Sequence, residues 1–166
     1  MEVLNYKEFR VTDEMLAGKT KRFVNLLIDY LLFMPLALFI WVIIFFIAGL
    51  TGNDIENINP LMDRLITALL WVLFYFALES ITQRTIGKLV TQTKVVLENG
   101  EKPGADVIIL RSLARMIPFE AFSFLGNSSR GWHDTMTKTY VVDIKIFEEQ
   151  KKAHEDFQLI GQTSEI

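Results

Sequence analysis

The feature that most constrains this chain is a run of 24 residues without a charged side chain, from Tyr30 to Asn53. Leu, Ile, Val, Phe and Trp make up most of it. A helix of about 20 apolar residues crosses a hydrocarbon core about 30 Å thick. A buried helix of a soluble protein is the alternative, but such helices rarely stay apolar on every side over this length. The run therefore predicts a membrane-spanning helix, in which Pro35 produces a tolerated kink.

A second apolar run extends from Leu65 to Gln83 and contains one charge, Glu79. The loop between the runs, TGNDIENINPLMDR, holds three acidic residues and one Arg. Basic residues lie on the other side of both runs: Lys19, Lys21, Arg22, Arg84, Lys88 and Lys94. The positive-inside rule places such basic flanks in the cytoplasm. We therefore expect a multi-pass protein of the inner (cytoplasmic-type) membrane, with spans at about 23–51 and 63–83 and both termini cytoplasmic.

The N-terminal 22 residues carry four acidic residues and no short apolar core before a small-residue cleavage site. They do not resemble a signal peptide, so we expect the first apolar run to stay in the mature protein as an anchor.

Composition narrows the classes of function. Hydrophobic residues make up 51% of the chain and charged residues 22%, which indicates apolar and polar segments that are kept apart. The net charge of −3 is too small to indicate a nucleic-acid partner. There is no Cys and there are two His, so thiolate metal sites are excluded and we expect neither metal nor cofactor. No nucleotide-binding loop, nucleophile elbow or zinc-binding helix motif occurs, so an enzyme is not expected.

Two later segments alternate in the manner of β-strands. KLVTQTKVVLENG ends in Asn-Gly, which is typical of a strand followed by a turn, and KTYVVDIKIF alternates similarly. We expect two short cytoplasmic strands, and their pairing remains open at this point.

The segment between the strands, ADVIILRSLARMIPFEAFSFLG, carries two arginines that are too costly for an ordinary span. Arg111 and Arg115 share one helix face, so an amphipathic helix at the membrane interface, about 105–118, is expected. A re-entrant segment is the alternative. Residues 148–166 read as a polar tail, either a frayed helix or disordered.

The predicted fold class is thus mainly α and integral to the membrane: a two-helix transmembrane hairpin, a cytoplasmic-side amphipathic helix and two short β-strands. The expected organisation is a cytoplasmic N-terminal segment (1–18), one membrane domain (19–147) and the polar tail (148–166).

Charges inside a span are expensive and therefore mark candidate functional sites. Asp29 lies about 10 Å beyond Arg22 along a helix, and Glu79 lies about 7–8 Å before Arg84. Both acids are thus expected at a similar depth, and Arg22, Asn25 and Asp29 share a helix face. The expected charged cluster, either structural or ion-binding, consists of Arg22, Asn25, Asp29, Glu79, Lys88, Arg111, Arg115 and Asp134.

Within this cluster we expect Asp29 to take its cation from Arg111 or Arg115, with Lys88 as the next choice. Two interpretations follow. The acids and bases form structural ion pairs, or two partly desolvated carboxylates with raised pKa values exchange protons or Na⁺-like cations. His133 beside Asp134 is not expected to form a general acid–base pair, because neighbouring side chains do not face each other. Asp134 is expected to cap a turn or to pair with an arginine, and Trp132 to anchor at the membrane interface.

Four segments in this order resemble the RDD family of bacterial membrane proteins, named for an Arg and two Asp residues. The matching segments are KRFVNLLIDYLL, ES with TQRTIGKLVTQTKVV, RSLARMIPFE and GWHDTMTKTYVV. The resemblance implies that Arg22, Asp29 and Asp134 are the signature residues, with Gly87 and Lys88 also matching. Lys21 precedes Arg22 where many relatives have paired arginines, a change that keeps the charge.

What the resemblance implies about function is limited to a membrane scaffold of unsettled role, with cation/proton exchange proposed for some members. We therefore expect a non-enzymatic membrane scaffold or accessory subunit, or alternatively a small oligomeric cation/proton exchanger that uses Asp29 and Glu79. The expected partners are the lipid bilayer, further copies of the chain or other membrane proteins, and a monovalent cation or proton.

Overall fold

The computed structural model describes residues 8–52, 59–125 and 130–163, and it is mainly helical. Six α-helices and two β-strands are found in these ranges: α1 (Lys19–Thr51), α2 (Pro60–Thr82), α3 (Ile86–Val90), β1 (Thr93–Leu97), α4 (Ala105–Ala114), α5 (Trp132–Met136), β2 (Thr139–Asp143) and α6 (Ile144–Thr163). Two 3₁₀ segments, Asp13–Met15 and Glu120–Leu125, complete the list.

The two apolar runs form α1 and α2, which are long and apolar enough to cross a membrane. Only 11% and 17% of the residues in their most apolar windows are buried within the chain, so neither resembles the core helix of a soluble protein. The 33 residues of α1 extend about 50 Å, and Pro35 lies within the helix. Gly52 ends α1 with a left-handed backbone (φ 70°), where a residue without Cβ is unstrained. Asn59 caps α2 by accepting a hydrogen bond from the Leu61 amide at 2.9 Å.

Aromatic rings join the two long helices. The Phe33 ring lies 4.6 Å from the Trp71 ring, edge to face, and the Trp71 ring lies 4.9 Å from that of Tyr75. Trp41 Nε1 donates to Thr67 Oγ1 at 3.4 Å. Phe33 thus contacts Trp71, whereas Trp41, which comes later in α1, contacts Thr67, which comes earlier in α2. The two helices are therefore antiparallel.

The strands β1 and β2 pair with each other in antiparallel register, with Val95 opposite Val141. The segment before α1 extends this small sheet, because Leu16 forms a bridge with Val142 and the Ala17 amide donates to the Val141 carbonyl at 2.9 Å. Met15, Val96, Val142 and Phe147 form a small apolar core beside it. The expectation of two short strands is confirmed, and the sheet places α3 and α5 next to the long helices.

The C-terminal residues form a helix as far as Thr163, which is one of the two alternatives expected for the polar tail, and this helix begins before residue 148. The second strand stops at Asp143, and Ile144 and Ile146 belong to α6, which continues to Thr163. Phe147 anchors the start of α6 in the apolar core, with a lysine ammonium 4.3 Å from its ring. An apolar anchor supplied by the sheet thus stabilises a helix whose own sequence is strongly polar.

The expected interfacial helix is shorter than predicted. α4 ends at Ala114, so Pro118 lies beyond it rather than inside it. The helix packs along α2, and the Arg115 guanidinium lies 4.1 Å from the Tyr75 ring centroid. Tyr75 lies seven residues before the last residue of α2. The C-terminal end of α4 therefore lies about 10 Å from the C-terminal end of α2, measured along the α2 axis.

Candidate functional site

The structure brings together all the residues of the predicted charged cluster. They lie where the N-terminal end of α1 and the C-terminal end of α2 meet α3, α4 and α5. Seven of the eight are buried, and the side chain of Arg115 is 10% exposed. The helical spacing predicted for α1 is confirmed, because Arg22, Asn25 and Asp29 are all buried on one face. We refer to these eight residues as the charged cluster.

Glu79, fully buried on α2, is the centre of the first half of the cluster. Its Oε1 contacts the Lys88 ammonium of α3 and accepts from Arg115 Nη2 at 3.2 Å. Its Oε2 accepts from Arg111 Nε at 2.9 Å. Three cationic side chains thus surround one carboxylate, which compensates the desolvation that burial imposes on it.

Asp134, fully buried on α5, is the centre of the second half. Its Oδ2 contacts the guanidinium of Arg22, and its Oδ1 contacts Nη1 of Arg111. Oδ2 also accepts from the Gly131 amide at 3.1 Å, so Asp134 both caps α5 and pairs with arginines, as the sequence predicted. Because Arg111 contacts both Glu79 and Asp134, it joins the two halves.

The prediction that Arg111, Arg115 or Lys88 pairs with Asp29 is wrong. Asp29 Oδ1 accepts from the backbone amide of Gly87 at 2.8 Å, and no ion pair to Asp29 occurs among the described residues. The arginines that the sequence assigned to it bind Glu79 and Asp134 instead. The reason is the position of the two shorter helices. The backbone of α3 lies directly beside Asp29, whereas α4 packs along α2 and so places its arginines next to Glu79.

The insertion of α3 depends on Gly87. An ideal Cβ at this position would lie 2.4 Å from the Asn25 carbonyl oxygen and 2.8 Å from Asn25 Cα, both of them backbone atoms. Asn25 in turn exchanges hydrogen bonds with the hydroxyls of Thr91 and Thr93, at 2.5 and 3.0 Å. These contacts fix α1 to the segment that joins α3 to β1.

The sequence analysis missed Glu120 and underestimated His133. His133 Nδ1 contacts Glu120 Oε1, and His133 Nε2 lies 3.2 Å from Asp134 Oδ1. The expectation that His133 and Asp134 do not face each other is therefore wrong, because the imidazole turns back between two carboxylates. Glu120 stands at the end of the matching segment RSLARMIPFE, but no spacing rule linked it to a histidine 13 residues later.

Burial and charge shift the pKa values of the groups outside the long helices. Burial lowers the pKa of Lys88 to about 8, an effect that Glu79 only partly opposes. Burial disfavours the ionised form of Asp134, but Arg111 and Arg22 more than offset it and hold its pKa well below the ordinary value. Similarly, burial of Glu120 is outweighed by its contact with His133, and its pKa is lowered to about 2.

The pKa of His133 itself is lowered by burial and by the neighbouring Arg115. The cluster contains four basic side chains, Arg22, Lys88, Arg111 and Arg115, and three acidic ones, Asp29, Glu79 and Asp134, beside which Glu120 is a fourth.

A cavity of about 30 Å³ lies inside the cluster, bordered by Asp29, Tyr75, Arg111 and Arg115 among others. Such a volume has room for about one or two water-sized particles. Within the described ranges, no group of three or more His, Asp, Glu or Cys side chains could hold a metal ion. The arrangement can fix helices through ion pairs and can present Asp29 to a small cavity.

Comparison with known families now adds to this geometry. The model of the RDD family matches residues 16–138, which contain both long helices and every residue of the charged cluster. The chain belongs to the RDD family. RDD proteins are membrane proteins, which agrees with the length and apolar surfaces of α1 and α2. Neither the curated proteins nor the solved structures contain a significant match to the chain.

The RDD signature predicted from the resemblance has a direct structural counterpart. Arg22 contacts Asp134 across 112 positions of sequence, and Asp29 accepts from Gly87, the glycine that the resemblance also matched. The signature residues thus join α1 to α5 and α1 to α3.

Proposed function

We propose that this RDD protein is a non-enzymatic membrane scaffold or accessory subunit, in which the charged cluster fixes a transmembrane hairpin to a polar domain that other proteins contact. The observation that carries the proposal is that Glu79, whose side chain has zero solvent exposure, pairs with three cationic side chains. Both oxygens of this carboxylate are bound to basic side chains, so neither is free to bind an exchanged cation.

The polar domain supports the same role. Its sheet, α5 and the start of α6 are joined to the hairpin through Arg22, Arg111 and Lys88, so the hairpin and the domain behave as one unit. Removing one partner of such a buried pair costs about 3–5 kcal/mol, because the other charge is left uncompensated. We propose that the unit is oriented with this domain and both termini in the cytoplasm of a bacterial cell, in keeping with the positions of the basic flanks.

The test is to isolate the chain from its native membrane in a mild detergent and measure the mass of its complex. The proposal expects a complex with another membrane protein at fixed stoichiometry, which Lys88→Gln weakens because it loosens the polar domain. As the matched control, Lys152→Gln removes an exposed lysine from α6 and should leave the complex unchanged. A chain that migrates alone under all such conditions would contradict the scaffold role.

A second candidate function rests on a separate observation. Asp29 borders the cavity of about 30 Å³, and its described hydrogen bond comes from an uncharged backbone amide rather than from a cationic side chain. On this basis an oligomeric cation/proton exchanger remains the alternative, with Asp29 rather than Glu79 as the principal group.

Proton flux in proteoliposomes separates the two functions. After pulses of Na⁺, Li⁺ or K⁺, the exchanger predicts a change of internal pH that Asp29→Asn abolishes. The scaffold predicts traces that match those of empty liposomes, both for the wild type and for Asp29→Asn. Asp156→Asn, which changes an exposed acid of α6, is the matched control.

A further inference from the structure

A groove with a volume of about 550 Å³ lies between the two long helices, away from the charged cluster. Phe33 and Ala37 of α1 and Ala68 and Trp71 of α2 form its apolar walls. Met116, which follows the last turn of α4, lies at the end nearer the cluster, since the adjacent Arg115 contacts Tyr75. This volume is within the range of about 300–1,000 Å³ that small-molecule sites occupy.

Two unlike charges lie at the other end of the groove. Asp63 and Arg64 both border it, and both are exposed. Neither side chain has a hydrogen bond or an ion pair to the part of the chain that the structure describes. They directly precede the apolar run that starts at Leu65, so they lie at the headgroup level of the leaflet next to the α1–α2 turn. From Arg64 to Trp71 the groove extends about 10 Å toward the middle of the bilayer.

We propose that this groove binds one phospholipid whose headgroup carries a primary ammonium group, as phosphatidylethanolamine does. The Arg64 guanidinium binds the phosphate, the Asp63 carboxylate accepts from the ammonium, and the upper part of an acyl chain packs against Phe33 and Trp71. The neighbouring positive and negative side chains match the neighbouring negative and positive groups of one zwitterionic headgroup. The proposal depends on the membrane placement of the hairpin but not on the scaffold role.

A lipid fits this space better than a helix from a second copy of the chain. The polar end of the groove carries one acidic and one basic side chain, which match the two charges of a zwitterionic headgroup. The long helix α1 of a second copy has no charged side chain from Tyr30 to Thr51 that could bind them.

The test is native mass spectrometry of the purified chain after incubation with equal amounts of phosphatidylethanolamine, phosphatidylcholine and phosphatidylglycerol that share the same acyl chains. The wild type is expected to retain one phosphatidylethanolamine, with a preference over phosphatidylcholine of about two- to fivefold, as for a partly exposed ion pair. Asp63→Asn should remove this preference, because only the primary ammonium offers N–H donors to the carboxylate. Arg64→Gln should lower retention of every phospholipid.

Matched variants control for general effects on the hairpin. Arg84→Gln removes a positive charge at the opposite end of α2 and should leave lipid retention unchanged. Ala68→Phe fills the groove and should reduce retention, whereas Ala77→Phe adds the same ring to an exposed position of α2 and should not. Equal retention of the three lipids by the wild type, or an unchanged preference in Asp63→Asn, would overturn the proposal.

A second copy of the chain as the occupant is tested in parallel. The chain has no Cys, so Thr67→Cys introduces a single thiol that borders the groove. A lipid-filled groove predicts no disulfide-linked dimer in membranes under mild oxidation. Efficient dimer formation through this position would show that another chain occupies the groove, and it would refute the lipid site.

Discussion

Gly87→Ala tests whether α3 inserts its backbone against α1. The added methyl would lie 2.4 Å from the Asn25 carbonyl oxygen, and backbone atoms of a long helix cannot rotate away. α3 must therefore shift, which also weakens the 2.8 Å hydrogen bond from the Gly87 amide to Asp29. Overpacking costs about 1–3 kcal/mol, and a hydrogen bond to a charged group contributes about 1.5–3 kcal/mol. We therefore expect a loss of about 3–5 kcal/mol in the free energy of unfolding.

The assay is thermal unfolding of the purified protein in detergent, followed by intrinsic tryptophan fluorescence. For a chain of this size, 1 kcal/mol corresponds to about 2–4 °C in Tm, so Gly87→Ala should lower Tm by at least about 6 °C. Gly49→Ala is the matched control, since it lies in α1 with nothing within 4 Å of its added Cβ. Its Tm should stay the same or rise slightly, because Ala favours the helix.

The backbone of Gly87 does not have a positive φ, so alanine carries no conformational penalty there and the steric contact alone is tested. A Gly87→Ala protein that unfolds within about 2 °C of the wild type would refute the close approach of α3 to α1. The position that we assign to Asp29, beside an amide rather than a cation, would then have to be revised.

Three further predictions concern the charged groups. Arg22→Gln should lower the free energy of unfolding by about 3–5 kcal/mol, because the ion pair of Arg22 with Asp134 is buried. Lys21→Gln should lower it by less than about 1 kcal/mol, because the Lys21 side chain is 44% exposed. Denaturant titration of both variants measures this difference. Asp29→Asn keeps an acceptor for Gly87 and should lose about 1 kcal/mol or less, clearly less than Asp29→Ala in the same titration. The pKa of Glu120 is about 2 in the folded protein against an ordinary 4.5, so its contribution is present above pH 4.5 and is lost as the pH falls toward 2. Glu120→Gln should make Tm fall less steeply over that interval, and an unchanged slope would contradict the shift.

Parts of the fold could be predicted because they depend on local properties of the sequence. Residues 30–53 are apolar on every side of a helix, and no partner is needed to recognise such a span. The strands around Val95 and Val141 likewise follow from local alternation, but their pairing is a contact between distant segments. For residues 148–166 the sequence left a helix and a disordered tail as alternatives, because Phe147, which anchors α6, is recognisable as a core residue only once the sheet is present.

The sequence alone identified the eight residues of the charged cluster, but not Glu120 or the contacts of His133 beside it. Charged side chains next to or inside apolar runs must be compensated somewhere, and the helical spacing of Arg22, Asn25 and Asp29 already placed them on one face. Only the tertiary structure decided which acid binds which base. The Arg22–Asp134 pair joins residues 112 positions apart, and Asp29 binds an amide because Gly87 lets α3 approach α1 closely. Ion pairing is set by distances of a few ångströms, and no sequence pattern specifies such distances between segments that meet only in the folded chain.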